Sequence, residues 1–257
     1  MNETIFQVED VKQRYGGVAA VDGVSLEIRR SEFLAIIGSN GAGKTTLFNL
    51  FTGTARPSSG RIRFAGTDIT VLPPHRRARL GIGRTFQINN VFGDETVEEN
   101  VRIALIARKR RQWDVFSRAE QLYGGEIAEI VDKVGLLPEL RRPANVLSYG
   151  DRRRLEIAIA LAGEPKLLFL DEPTCGMSLA DRLPLVELIR SIVRQDRLTA
   201  VIIEHDMDVV FSVAERVFVM HRGRVIAQGA PGDIAANDAV RQVYLGDGVP
   251  GTVAAHA

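Results

Sequence analysis

An α/β fold with a largely parallel central sheet is predicted by three stretches of this 257-residue chain. The apolar run Phe33, Leu34, Ala35, Ile36, Ile37 enters a glycine-rich turn and leaves it into Leu47, Phe48, Asn49, Leu50, Phe51. A second run, Leu167, Leu168, Phe169, Leu170, ends on Asp171 and Glu172, and a third, Ala200, Val201, Ile202, Ile203, ends on Glu204 and His205. Continuous apolar runs of this length suit strands covered on both faces. In such sheets ligand sites collect at the carboxyl ends of the strands, where these acidic residues and the histidine stand.

The glycine-rich turn is the first element to justify. Gly38, Ser39, Asn40, Gly41, Ala42, Gly43, Lys44, Thr45 and Thr46 carry the spacing G-x-x-x-x-G-K-T between a strand and a helix, the context a phosphate loop requires. The glycines let the backbone curl with its N–H groups inward and admit phosphate oxygens without a Cβ in the way. The helix that follows aims its positive dipole end at the same anion. Lys44 is then within reach of the β- and γ-phosphates, and the Thr45 hydroxyl is placed for Mg²⁺. The acidic pair complements this loop: Asp171 is placed to hold Mg²⁺, and Glu172 to orient or deprotonate a water.

The other elements follow in chain order. Residues 5–30 alternate as two half-buried strands around Tyr15, Gly16 and Gly17. Tyr15 either packs on its own hairpin or offers a flat platform to an adenine ring. A turn at 56–60 leads to an edge strand at 61–65, and 81–87 reads as a short strand ending on the amide Gln87. From 96 to 140 the periodicity is helical, with Thr96 and Glu99 as a capping box and a second helix stopped by Gly135 and Pro138. The basic run Arg108, Lys109, Arg110, Arg111 reads as a solvated helix end. Ser148 and Asp151 fit the S-x-x-D cap of a further helix that reaches residue 162. A hairpin over 216–227 turns at Arg222 and Gly223, one short helix spans about 234–244, and 247–257 is expected to be a mobile tail.

Composition narrows the function. A net charge of +1 gives no support to nucleic-acid binding or to direct attachment to an anionic surface. The single cysteine, Cys175, cannot form an internal disulfide and suits a reducing compartment. No basic stretch followed by an apolar core opens the chain, and no apolar run approaches the ~18–20 residues of a membrane span. A cytoplasmic protein is expected, peripheral on the inner face of the cell membrane if it serves a membrane process, with the spanning left to partners.

The order of Tyr15, the phosphate loop, Gln87, Leu147–Asp151 in one short element, Asp171 with Glu172, and His205 resembles the ATP-binding cassette of ABC transporters over residues 6–246. Arg84, Thr85, Phe86 and Gln87, the run from Thr96 to Asn100, Ser148, Tyr149 and Gly150, the run Glu204, His205, Asp206, Met207, and Tyr244, Leu245, Gly246 are similar to one branch. That branch is the ATP-binding subunit of bacterial importers for branched-chain amino acids, with relatives for amides and urea. The resemblance implies a P-loop NTPase cassette with an antiparallel β edge subdomain and an inserted α-helical subdomain. Residues 1–87 and 163–246 would form the nucleotide-binding core, and 88–162 the helical part. It also implies roles: Tyr15 stacking the adenine, residues 38–46 holding phosphates, Gln87 sensing the γ-phosphate and Mg²⁺, Asp171 holding the metal, Glu172 as general base, and His205 steadying the γ-phosphate and water. Ser148 and Gly150 would act on ATP held by a second cassette, identical or sister, and membrane-spanning permease subunits would dock near Gln87. Two positions depart from the family pattern. The usual LSGGQ signature reads Leu147, Ser148, Tyr149, Gly150, Asp151, and Ser178 stands where Asp or Asn is usual. The self-capping pattern predicts that Asp151 turns to its own backbone rather than toward phosphate. A GTPase or kinase is disfavoured because the guanine-reading N-K-x-D element is absent. The alternative within the fold is a soluble cassette whose ATP-driven dimerisation assembles other proteins.

Overall fold

The computed structural model describes residues 3–85, 91–109 and 123–245. Strands β1 (Thr4–Tyr15) and β2 (Val18–Arg29) form a hairpin that buries Val24, Leu26 and Ile28 at period two on β2, and Phe6, Val8 and, past a register shift at Asp10, Val11 on β1. Strand β3 (Phe33–Gly38) is buried along its whole length and delivers the glycine turn to helix α1 (Lys44–Thr52). Strand β4 (Ser59–Phe64) returns beside β1, and the short β5 (Thr67–Asp68) completes a four-stranded antiparallel sheet ordered β2-β1-β4-β5. Helix α2 (Pro74–Leu80) then leads into β6 (Ile82–Arg84).

A helical stretch follows. Helix α3 (Val97–Lys109) starts where the Thr96 hydroxyl accepts from the Glu99 N–H at 3.1 Å, the expected cap. Helices α4 (Gly124–Lys133) and α5 (Tyr149–Ala162) complete this layer, and their apolar faces meet around Val101, Leu105, Ile127, Val131 and Leu155. The chain then returns to the sheet with β7 (Leu167–Asp171), helix α6 (Leu179–Gln195), β8 (Thr199–Ile203), helix α7 (Met207–Val213), and the hairpin of β9 (Arg216–His221) and β10 (Arg224–Gly229).

The six-stranded sheet has the order β10-β9-β3-β8-β7-β6, parallel except for β10. Alternate side chains of its central strands face two cores. Ala35, Leu168, Leu170, Ala200 and Ile202 pack toward the helical layer. Leu34, Ile36, Leu167, Phe169, Val201 and Ile203 pack toward α1 and the antiparallel sheet. A strand buried on both faces has no polar alternation, which explains the unbroken apolar runs in the sequence.

Several expectations are corrected. The single helix expected near 234–244 is two, α8 (Pro231–Ala236) and α9 (Asp238–Leu245), because the Asn237 side chain accepts from the N–H groups of Ala239 at 2.9 Å and Val240 at 3.2 Å and so starts a new helix. Helix α6 accommodates Pro184 in its sixth position, and the Ser178 hydroxyl caps the helix through the Asp181 N–H at 3.2 Å. Arg108 and Lys109 are not simply solvated, since both pair with Glu126 of α4. Arg110, Arg111, Gln87 and the tail 247–257 lie outside the described residues.

Arg77, which no sequence pattern singled out, is almost fully buried and, among the described residues, has no carboxylate hydrogen-bonded to it. Its guanidinium donates to the carbonyl oxygens of Leu50 at 2.6 Å, Phe51 at 2.8 Å, Leu72 at 2.9 Å and Thr70 at 3.1 Å. The first two belong to the last turn of α1, where helical carbonyls lack internal partners. Burial pulls its pKa down to about 10, with Asp68 opposing, so the group remains a cation at neutral pH. Arg77→Met is expected to lower the unfolding free energy by about 3 kcal/mol, because it strands buried carbonyls that a charged donor satisfies. Urea denaturation would show this as a lower midpoint at unchanged slope. A loss under about 0.5 kcal/mol, typical of a surface change, would contradict the clamp.

Candidate functional site

The turn between β3 and α1 needs its glycines for two different reasons. A Cβ on Gly38 would lie 2.4 Å from the Met220 carbonyl oxygen, so β9 passing beside it already requires this residue to be small. Gly41 has open space around it and is required by its φ of 77°. Gly43 has both constraints, with a φ of 98° and a Cβ position 2.1 Å from the Ala20 carbonyl oxygen. The turn is braced from outside, where the Gly223 N–H of the β9–β10 hairpin donates to the Ala42 carbonyl at 2.9 Å.

Lys44 is buried, and its ammonium donates to the carbonyls of Gly38 at 2.7 Å and Ser39 at 3.1 Å. Burial pulls its pKa down, and the charges of Glu172 and Asp171 work against that shift. The ammonium is thus held within the loop by two of its own carbonyls.

The facing wall is built by β7 and β8. Asp171 is buried and pairs with the Arg84 guanidinium at 2.9 Å. Arg84 also donates to the Asn49 side chain at 2.9 Å and the Thr52 hydroxyl at 3.3 Å, and it lies 5.3 Å from the Phe48 ring centre. It therefore ties the carboxyl end of β7 to α1. Glu172 has a φ of 46°, a left-handed conformation that costs a residue with a Cβ on the order of 1–3 kcal/mol. Its N–H donates to the Ile203 carbonyl at 2.9 Å, and its carboxylate meets the His205 Nε2 at 2.6 Å. Glu204, which the sequence offered only as a neighbour of His205, is a buried staple. It accepts from the Thr174 N–H at 3.0 Å and the Thr174 hydroxyl at 2.7 Å, fastening the turn after β7 to the end of β8.

These residues enclose a cavity of about 490 Å³ lined by residues 40–46, Glu172 and His205, together with Val18, Ala19, Ala20 and Arg222. The hairpin residues and Arg222 carried no motif, and only tertiary contact brings them here. Asp171 stands just behind this lining. Tyr15 does not line the cavity: it is 53% exposed at the end of β1 and pairs across the hairpin with Val18, which does. Ser148 and Gly150 lie in a separate cavity of about 280 Å³ with Gly176, Met177 and Ser178. Among the described residues no three His, Cys, Asp or Glu side chains gather to hold a metal ion. Thr45 and Asp171 supply one hydroxyl and one carboxylate, a set that fits Mg²⁺, which binds through few protein oxygens plus phosphate and water.

Comparison with known proteins agrees with this geometry. The family model described as ABC transporter matches residues 21–175. The chain belongs to the ABC transporter family. A second model, described as branched-chain amino acid ATP-binding cassette transporter, matches residues 224–250 of this cassette. The cassette is 37% identical over 254 residues to the high-affinity branched-chain amino acid transport ATP-binding protein LivG of Salmonella typhimurium, covering 96% of this chain and all of the relative. It is 36% identical to the corresponding BraF protein of Pseudomonas aeruginosa, with the same coverage. A nucleotide-free ATP-binding cassette of an ABC transporter superposes with a TM-score of 0.82 at 28% identity, covering 95% of this chain and 99% of that one. The ADP conformation of such a cassette gives the same TM-score at 29% identity and the same coverage. Among the described residues of the cassette, no helix is long and apolar enough to cross a membrane.

The signature helix α5 of the cassette shows how its unusual Asp151 behaves. The Ser148 hydroxyl accepts from the Asp151 N–H at 3.1 Å and donates to the Asp151 carboxylate at 2.7 Å, so the acid turns back on its own cap, but to the cap's hydroxyl and not to the backbone as the pattern predicts. Asp151 is the third residue of the helix, where an Asn side chain keeps an oxygen for the Ser148 hydroxyl and gives up only an exposed charge–dipole interaction worth about 0.3–0.5 kcal/mol once salt screens it. Asp151→Asn is therefore expected to keep the unfolding free energy within about 0.5 kcal/mol of the parent chain, while Ser148→Ala loses about 1 kcal/mol. A larger loss from Asp151→Asn than from Ser148→Ala in thermal unfolding would contradict this arrangement.

Proposed function

We propose that this cassette hydrolyses MgATP to energise uptake of branched-chain or similar amino acids through membrane-spanning permease subunits, peripheral on the cytoplasmic face of the membrane. The observation that carries the ATPase reading is the Glu172 carboxylate, held 2.6 Å from His205 across the cavity from the glycine loop and Lys44. The transported class rests on the relatives, which are named for branched-chain amino acid transport. In this reading residues 1–87 and 163–246 work as the nucleotide-binding core and 88–162 as the helical part that meets the permease.

The chain's groups divide the chemistry. Backbone N–H groups of the loop 38–46 and the N-terminus of α1 bind the phosphates. Lys44 exchanges its two carbonyl partners for phosphate oxygens. Thr45 and Asp171 would hold Mg²⁺, which would neutralise phosphate charge; Gln87, the third residue that the sequence offers for this role, lies outside the described residues. Glu172 accepts the proton of the attacking water, and His205 holds both the carboxylate and the γ-phosphate in line. The left-handed backbone of Glu172 aims its carboxylate into the cavity rather than back along the strand. Tyr15 packs against the adenine from the hairpin tip beside Val18. Ser148 and Gly150 close over the ATP of a second cassette, so ATP joins the dimer and hydrolysis releases it, which drives the rigid-body switch in the permease.

Glu172→Gln is expected to keep MgATP binding and to lower turnover by roughly 10²–10⁴-fold in the cassette assembled with its partners. Near-normal phosphate release would remove Glu172 from the base role. Tyr15→Ala is expected to weaken ATP binding by about 1–3 kcal/mol, the range of base–aromatic stacking, with Tyr15→Phe close to silent. Equal dissociation constants for all three chains would return Tyr15 to a purely structural place. Leucine uptake by proteoliposomes carrying the full assembly, abolished by Glu172→Gln, is the test of the transport reading. ATP hydrolysis without co-purifying membrane proteins or uptake would favour a soluble assembly role instead.

A further inference from the structure

The third signature position is glycine in the usual LSGGQ pattern and Tyr149 here, and its side chain is engaged on both sides. The Tyr149 hydroxyl donates to the Cys175 carbonyl at 2.7 Å, and the Arg153 guanidinium donates to the same hydroxyl at 3.0 Å. Arg153 is itself buried, pairs with the buried Glu156 at 3.0 Å, and lies 5.3 Å from the Tyr149 ring centre. On the other side, the Cys175 N–H donates to the Glu172 carbonyl at 3.1 Å. Gly176 has a φ of 78°, and a Cβ there would sit 3.1 Å from the Tyr149 hydroxyl oxygen. A continuous chain of hydrogen bonds thus runs from Glu172 through Cys175 to the first turn of α5. A glycine at position 149 could not make the central bond.

We infer that Tyr149 is a positioning residue that couples the Glu172 turn of one cassette to its own signature, so that each ATP site of the dimer senses the state of the other. Glu172 serves the ATP in this chain's cavity, while Ser148 and Gly150, in the reading proposed above on which this inference rests, serve the ATP of the partner. Glu172 changes its surroundings when a γ-phosphate arrives or leaves. The turn 172–177 carries that change to the Cys175 carbonyl, and the Tyr149 hydroxyl carries it into the first turn of α5. Arg153 polarises the hydroxyl and strengthens its bond to the carbonyl. The coupling between sites is then a free energy stored in a switchable contact rather than a consequence of distance.

Tyr149→Phe tests this because it removes one oxygen and keeps the ring on Arg153. Amide hydrogen exchange is read on the full-length chain, diluted until it is monomeric, with and without MgATP. In the parent chain, MgATP is expected to change exchange at amides 174–177 and at amides 150–153 together, by about 2- to 10-fold, the weight of one net hydrogen bond. In Tyr149→Phe the response at 174–177 should persist, the response at 150–153 should vanish, and MgATP affinity should stay within about twofold, less than one hydrogen bond's weight. Equal responses at 150–153 in both chains, or none in the parent chain, would overturn the inference. Ser148→Ala separately tests the cross-subunit reading: if it leaves ATP-driven dimerisation of the Glu172→Gln cassette unchanged, that reading fails while the exchange result stands on its own.

Discussion

The packing of Phe169 fixes the distance on which the rest of the molecule depends. Its ring lies 5.0 Å from Phe48 of α1, 5.8 Å from Phe51 of the same helix, and 5.8 Å from Phe6 of the antiparallel sheet. The contacts to Phe48 and Phe6 are edge-to-face, the favoured arrangement for rings with a negative face and a positive edge. Phe169 stands two residues before Asp171, and Phe48 four residues after Lys44. One aromatic cluster thus sets how far the anion-binding loop lies from the carboxylates opposite it. Dense packing of this kind does not yield gradually, so the loop and the acids keep one spacing. Arg84 repeats the connection with charge, bridging Asp171 to Asn49 and Thr52 across the same interface.

Within that frame the structure accepts a local cost at Glu172. A left-handed backbone on a residue with a Cβ persists only where neighbours over-determine it. Here they do: the Ile203 carbonyl takes its N–H, the Cys175 N–H takes its carbonyl, and Glu204 staples Thr174 to the end of β8. The same contacts keep His205 within hydrogen-bonding distance of the carboxylate. The acid and the histidine are therefore held in one relative position by the hydrogen bonds around them.

Much of this was legible in the sequence because it is local. The apolar runs gave the central strands, the spacing from Gly38 to Thr46 gave the phosphate loop, and Ser148 with Asp151 gave a cap whose Asp151 N–H bond the structure reproduces, while the carboxylate meets the Ser148 hydroxyl instead of the backbone. What the sequence hid is what depends on distant partners. Arg77 carried no pattern, and Arg84 entered only as part of a run resembling one branch of the family, because nothing nearby in the chain indicates that carbonyls from α1 or the Asp171 carboxylate will meet them. Arg222 and the Val18 to Ala20 stretch line the cavity only because two hairpins converge on the glycine turn. Gly38 and Gly43 were read as openings for phosphate, whereas the nearest atoms that forbid a side chain belong to Met220 and Ala20. The break at Asn237 was missed for the opposite reason, since a short polar side chain outweighed an apolar periodicity that ran through it.

The central claim is that a single cavity, with the glycine loop on one wall and Glu172 and His205 on the other, is where ATP is bound and cleaved. Crystals of the full chain grown with Mg²⁺ and a non-hydrolysable ATP analogue measure this most directly. The account predicts the triphosphate inside the loop 38–46, Lys44 released from the Gly38 and Ser39 carbonyls onto phosphate oxygens, and the terminal phosphate beside Glu172 and His205. A larger polar cavity of about 610 Å³, lined by Asp10, Lys12, Asp22 and Arg224 among others, lies elsewhere on the surface. A nucleotide found there, or a loop 38–46 that stays empty with Lys44 still bound to its own carbonyls, would contradict the account.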